Sequence, residues 1–183
     1  MRWLTLYARS RQVPASVVAA LLGAAAVWSL SDSTRPDPRL MSLVLTVIVA
    51  ATSIGLSGQD LRLDRTAAIR WLPRRALHVL LTGLLAGAVL WVLADDAAEF
   101  VVRDSAGLMG LAALGAAAFG GQFAWTLPFG WFSIALFVPP ADGVPVQVAS
   151  WMLAPPGTAA ATWTAVVLAT AGTAAYAVGG PRR

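Results

Sequence analysis

Apolar residues come in long runs along this chain, and polar residues are confined to the short stretches between them. Such runs lack the one-sided stripe of a surface helix and read as helices that are apolar all round. Those at 14–30, 40–57, 76–94 and 158–178 are long enough to cross a hydrocarbon core about 30 Å thick. Between the first two lie residues 31–39, where two prolines and four charges end any helix. The uncharged run 105–140 is too long for one span, since a helix of about 33 residues would measure near 50 Å. It predicts two short spans, 106–119 and 125–138, joined around Gly120, Gly121 and Gln122.

Residues 139–157 are apolar but bracketed by proline pairs, and their longest proline-free piece, 146–154, would rise only about 14 Å as a helix. That piece predicts a re-entrant or interfacial segment with Trp151 at headgroup depth, tolerable at membrane depth only where protein covers its backbone. Arg2, Arg9 and Arg11 ahead of the first run have the charge order of a signal peptide. The run behind them is nearer a full span than a signal core, and further apolar segments follow, so a retained span is expected. The expectation is an all-α integral membrane protein: one transmembrane domain over 1–183 with six transmembrane helices and no soluble domain.

Composition agrees, with 58% hydrophobic and 12% charged residues and a mean hydropathy of +0.71, where soluble domains carry roughly a quarter charged residues. A net charge of +4 would suit nucleic acid, but the arginines are dispersed among loops and form no basic stripe, so no nucleic-acid partner is expected. Charge instead fixes orientation. With both ends inside, ten of the thirteen arginines fall on cytoplasmic segments and only Arg35, Arg39 and Arg103 fall outside. Asp95, Asp96, Glu99 and Asp104 then belong to an acidic outer loop. This predicts a multi-pass protein of a bacterial cytoplasmic membrane.

Candidate chemistry is sparse. Cysteine is absent, which excludes disulfides and thiolate sites. No Asp, Glu, Arg or Lys falls within the six predicted spans, which argues against a proton-coupled exchanger and removes acidic metal clusters. No GxxxxGK[ST] phosphate loop is present, so the chain is not expected to hydrolyse ATP itself, and no catalytic, cofactor or metal residue is assigned. Gly55, Ser57 and Gly58 with His78 resemble the GxSG serine and distant histidine of rhomboid proteases. A helix-ending glycine, a loop-starting serine and an interfacial histidine explain the same residues without catalysis. The aromatic cluster Phe123, Trp125, Phe129, Trp131 and Phe132 reads as an interfacial belt, as helix packing, or as the lining of a path for an apolar substrate.

Residues 58–75 form the one long charged segment, with five arginines and two acids between apolar runs. From 59 to 72 they predict a helix capped by Ser57 and stopped ahead of Pro73. Leu61, Ala68, Ile69 and Leu72 share one face of it. Gln59, Asp60, Arg62, Asp64, Arg65 and Arg70 leave the rest polar, and no opposite charges stand three or four residues apart to neutralise it. These groups are available to a partner, either anionic headgroups or a protein.

Six spans with both ends inside, a charged helix Gln59-Asp60 … Arg65-Thr66 … Trp71-Leu72-Pro73-Arg74-Arg75 running into the third span, and a short re-entrant segment before the last resemble the layout of ABC-2-type exporter permeases. The resemblance implies that the charged helix is a coupling helix docking on a separate ATP-binding-cassette ATPase through Gln59, Asp60, Arg62, Asp64, Arg65 and Arg70. It implies further that the chain pairs with a second copy or a second permease to export a hydrophobic or amphipathic substrate. An expectation of a different class is a non-transporting membrane protein, such as an assembly or immunity factor, whose arginine segment binds lipid or another protein.

Overall fold

The computed structural model describes residues 37–57, 71–91, 98–139 and 143–182, together with positions 18, 21, 22, 25 and 29. The last five are helical and exposed; the rest of the predicted first span, the charged segment 58–70, and Asp95, Asp96 and Asp142 lie outside the described residues. Among the described residues there is no strand. The helices described in full are α1 (Pro38–Ser53, continued by a 3-10 turn Ile54–Leu56), α2 (Trp71–Trp91), α3 (Ala98–Phe119), α4 (Thr126–Phe137), α5 (Val144–Ala149) and α6 (Ala159–Gly179). Three are long and apolar enough to cross a membrane: α1 with its 3-10 turn, α3 and α6. α4, at 12 residues, rises only about 18 Å.

Local chemistry sets several of these boundaries. The Asp37 carboxylate accepts the Arg39 N–H at 2.9 Å, and Pro38 takes the first helical position, where its missing N–H costs nothing. α3 stops at Gly120, whose φ of 103° is a conformation that side chains with a Cβ rarely adopt. A 3-10 turn, Gly121–Phe123, then carries the chain into α4. Two buried hydroxyls are satisfied within α1, Thr46 giving its hydrogen to the Ser42 carbonyl at 2.7 Å and Ser53 to that of Ala50 at 2.7 Å, as a helix in lipid requires.

α3 is the central helix, and α6 lies closest against it. A Cβ on Gly172 would collide with the Gly110 carbonyl, and one on Gly110 would collide with the backbone of Leu168 and Ala169. With glycine at both positions the two backbones touch, which is the source of attraction left to helices whose side chains are no more apolar than the lipid. α2 runs antiparallel to α3, Gly83 standing by Met109 and Gly87 by Ser105.

Contacts divide the bundle into two ends. At one, Gly121 meets Ser57, the Tyr176 hydroxyl donates to the Leu56 carbonyl at 2.8 Å, the Arg182 N–H donates to the Ala116 carbonyl at 3.0 Å, and the Arg75 guanidinium lies against Gly180. At the other, the Ser42 hydroxyl reaches the Met152 carbonyl at 2.7 Å and Glu99 accepts the Gly157 N–H at 2.8 Å. α1, α3 and α6 therefore all point the same way.

Two helix boundaries differ from the sequence expectation. α3 begins at Ala98, not at 106, so Glu99, Arg103 and Asp104 belong to a helix and not to a loop. Phe100 and Val101 supply buried apolar surface in its opening turns, and Glu99 suits the positive end of a helix dipole. Trp71 and Leu72 already belong to α2, and Pro73 does not interrupt it, since proline in an opening turn forfeits no hydrogen bond. Trp151 is fully buried within the protein.

Candidate functional site

Residues 143–157 turn back without forming a long helix. α5 gives way at Ser150 to a 3-10 turn, Trp151–Leu153, and the chain leaves through Pro155, Pro156 and Gly157, the last with φ of 79°. Irregular backbone of this kind needs partners from outside itself. The Trp131 indole N–H donates to the Ala149 carbonyl at 3.0 Å and the Ser42 hydroxyl to that of Met152. Arg103 Nη2 donates to the Ala154 carbonyl at 2.9 Å and Nη1 to that of Pro155 at 3.3 Å. α1, α3 and α4 thus each hold one part of the segment.

Arg103 is the centre of this arrangement. Its Nε donates to Asp104 Oδ1 at 2.8 Å and its guanidinium lies 5.3 Å from the Phe100 ring centroid. Arg103 is 5% exposed and Asp104 0%. Burial of two charges is tolerable because they neutralise each other and the guanidinium hydrogens find carbonyls. Asp104 Oδ2 and the Trp151 indole nitrogen are buried without a hydrogen-bond partner. Trp151 packs its six-membered ring over Gly107, where a Cβ would collide with it.

These charged groups correct an inference from sequence. The absence of ionisable residues within the spans counted against ion-coupled transport, and that premise fails once α3 begins at Ala98 and carries a buried ion pair. The signal was present in the sequence, as an acid in the first turn ahead of Phe100, Val101 and Leu108 marks a helix start.

The residues singled out for a substrate path are spread over several environments. Phe123 and Trp125 are exposed, and Phe123 borders a hollow with Phe119 and Thr126. Phe129 is half-buried and meets the Trp125 ring edge-on at 6.0 Å. Trp131 is spent on the Ala149 carbonyl, and Phe132 is buried in the core. Gln59, Asp60, Arg62, Asp64, Arg65 and Arg70 fall outside the described residues. Ser57, expected as the cap of their helix, donates its hydroxyl hydrogen to the Ile54 carbonyl at 2.7 Å, backwards into the turn that ends α1. No group of three or more metal-ligating side chains occurs among the described residues.

Comparison with known proteins adds nothing to this picture: no protein-family model, no curated protein and no solved structure matches the chain.

Proposed function

We propose that the chain is the transmembrane subunit of an ABC exporter, with six spans, both ends cytoplasmic, and a separate ATP-binding-cassette ATPase docking on residues 59–70 in a bacterial cytoplasmic membrane. The observation that carries this reading is the course of the chain between α4 and α6. Residues 143–157 fold back at the end of the bundle opposite to Ser57 and Arg75, where the permeases that this sequence resembles place short re-entrant helices before their last span.

A push delivered between Ser57 and Arg75 acts on the ends of α1 and α2 together. Tyr176 ties α6 to the end of α1, and the Gly110–Gly172 contact ties α6 to α3, so these helices move as one body. Paired with a second copy or a second permease, such a body rocks against its partner and opens a route for a hydrophobic or amphipathic substrate.

The test is purification of the tagged full chain in mild detergent from its native membrane. The reading expects an ATP-binding-cassette subunit in stoichiometric amount. An intact chain that brings down no nucleotide-binding partner rejects it and leaves a non-transporting membrane protein.

A further inference from the structure

Residues 143–157 are fastened to the bundle by few polar bonds, and two of these come from one half of a buried ion pair. Trp131 of α4 and Ser42 of α1 each hold one carbonyl, of Ala149 and Met152, while Arg103 of α3 holds those of Ala154 and Pro155. Glu99 adds an exposed contact to the Gly157 N–H. The segment is docked at a cost, since the Trp151 indole nitrogen is buried without a hydrogen-bond partner. Lifting the segment frees that donor to find one.

The two charges of the pair are held unequally. Arg103 places Nε on Asp104 Oδ1 and its two terminal nitrogens on carbonyls. Asp104 is fully buried, and its Oδ2 has no hydrogen-bond partner. A carboxylate out of water with one bare oxygen is the weaker partner, and a proton on Oδ2 removes its charge. Among the described residues no further charge is buried beside it. Glu99 is exposed on the same helix, and Asp37 and Arg39 are exposed at the start of α1. The ionisable groups of α2, of α6 and of the stretch after it, namely Arg74, Arg75, His78, Tyr176 and Arg182, lie at the opposite end of the bundle. α4 and residues 143–157 contribute none.

We propose that Asp104 is a proton-binding site that controls the fastening of residues 143–157 to α3. With Asp104 ionised the pair is neutral, and Arg103 stays inside and holds Ala154 and Pro155. When Oδ2 takes a proton from solution, no other covalent bond is made or broken, and the guanidinium is left as a lone buried charge. It then leaves along Pro155 and Pro156, which are exposed, and the segment loses its hold on α3. Acid therefore loosens the segment and base fastens it. The site needs only α3 and the segment, and does not depend on the exporter reading.

The test is hydrogen exchange of the purified full chain in detergent from about pH 4 to about pH 9, each rate being corrected for the pH dependence of free amides. The Leu153 and Ala154 amides, bonded within the turn to Ser150 and Trp151, report the segment, and the amides of α6 report the bundle. In wild type the segment loses protection at least about tenfold on acidification while α6 keeps its own. Asp104→Asn, uncharged at every pH, leaves the segment open throughout. Glu99→Gln keeps the wild-type response. If Asp104→Asn does not fold, Arg103→Met with Asp104→Leu removes both charges and makes exchange in the segment independent of pH.

Segment protection that does not change with pH in wild type overturns the proposal, as does a response that survives in either Asp104 variant. Loss of the response in Glu99→Gln assigns the proton to the exposed acid and overturns it too. Protection lost from α6 at the same pH means that acid unfolds the bundle as a whole, which equally rejects a site at Asp104.

Discussion

Arg103 Nη2 stands 2.9 Å from the carbonyl oxygen of Ala154, fifty-one residues further along the chain, while Nε of the same guanidinium holds Asp104 at 2.8 Å. One side chain therefore neutralises its neighbour and fastens the folded-back segment to the central helix. Removing it leaves Asp104 buried without a counter-charge. Arg103→Met is expected to cost about 3–5 kcal/mol of stability. Arg103→Met combined with Asp104→Leu should recover most of that loss, because no lone charge remains. Thermal unfolding of both variants in detergent checks this, and a double variant no more stable than the single one goes against it.

The Gly110–Gly172 contact makes a sharper packing prediction. Gly172→Ala sets a Cβ against the Gly110 carbonyl and forces α3 and α6 apart, for about 1–3 kcal/mol. Gly179→Ala, on the same helix but with nothing within 4 Å, serves as the control and should change stability by less than about 0.5 kcal/mol. Unfolding midpoints of the two variants that coincide would show that the close approach does not matter.

How far these features were legible in the sequence depends on whether their cause is local. The break after Phe119 was legible, since helix rise and bilayer thickness alone forbid one span through 105–140. The start of α3 was legible only in part: Glu99 ahead of Phe100 and Val101 marks a first turn, but Arg103 and Asp104 read as loop markers until Ala154 and Pro155 are seen to satisfy the guanidinium. The burial of Trp151 within the bundle was not legible for a similar reason. Tryptophan favours the membrane interface by default, and only the bare backbone of Gly107 on another helix makes room for it inside.

The two ends of the bundle predict opposite accessibility. Gln122 lies in the turn beside Ser57 and Arg182, and Pro156 lies beyond the Arg103 contact, both exposed. Single cysteines at these positions in a chain with none of its own should react with an impermeant thiol reagent from opposite sides of sealed vesicles. Reaction of both from one side would mean that α3 does not cross.

Charge reversal in residues 59–70 tests the exporter account most directly. Asp60→Arg with Asp64→Arg makes one variant, and Arg62→Glu with Arg65→Glu the other. Each exposed charge contact contributes on the order of 0–1 kcal/mol, so paired reversals are needed, and like charges brought face to face add a penalty. The measurement is ATP hydrolysis by the co-purified ATPase in proteoliposomes, alongside a check of membrane insertion. The account predicts that both variants insert and that both lose ATPase association or substrate-stimulated hydrolysis. Correct insertion with association and hydrolysis unchanged in both contradicts it, and so does a defect limited to anionic-vesicle binding in the glutamate variant.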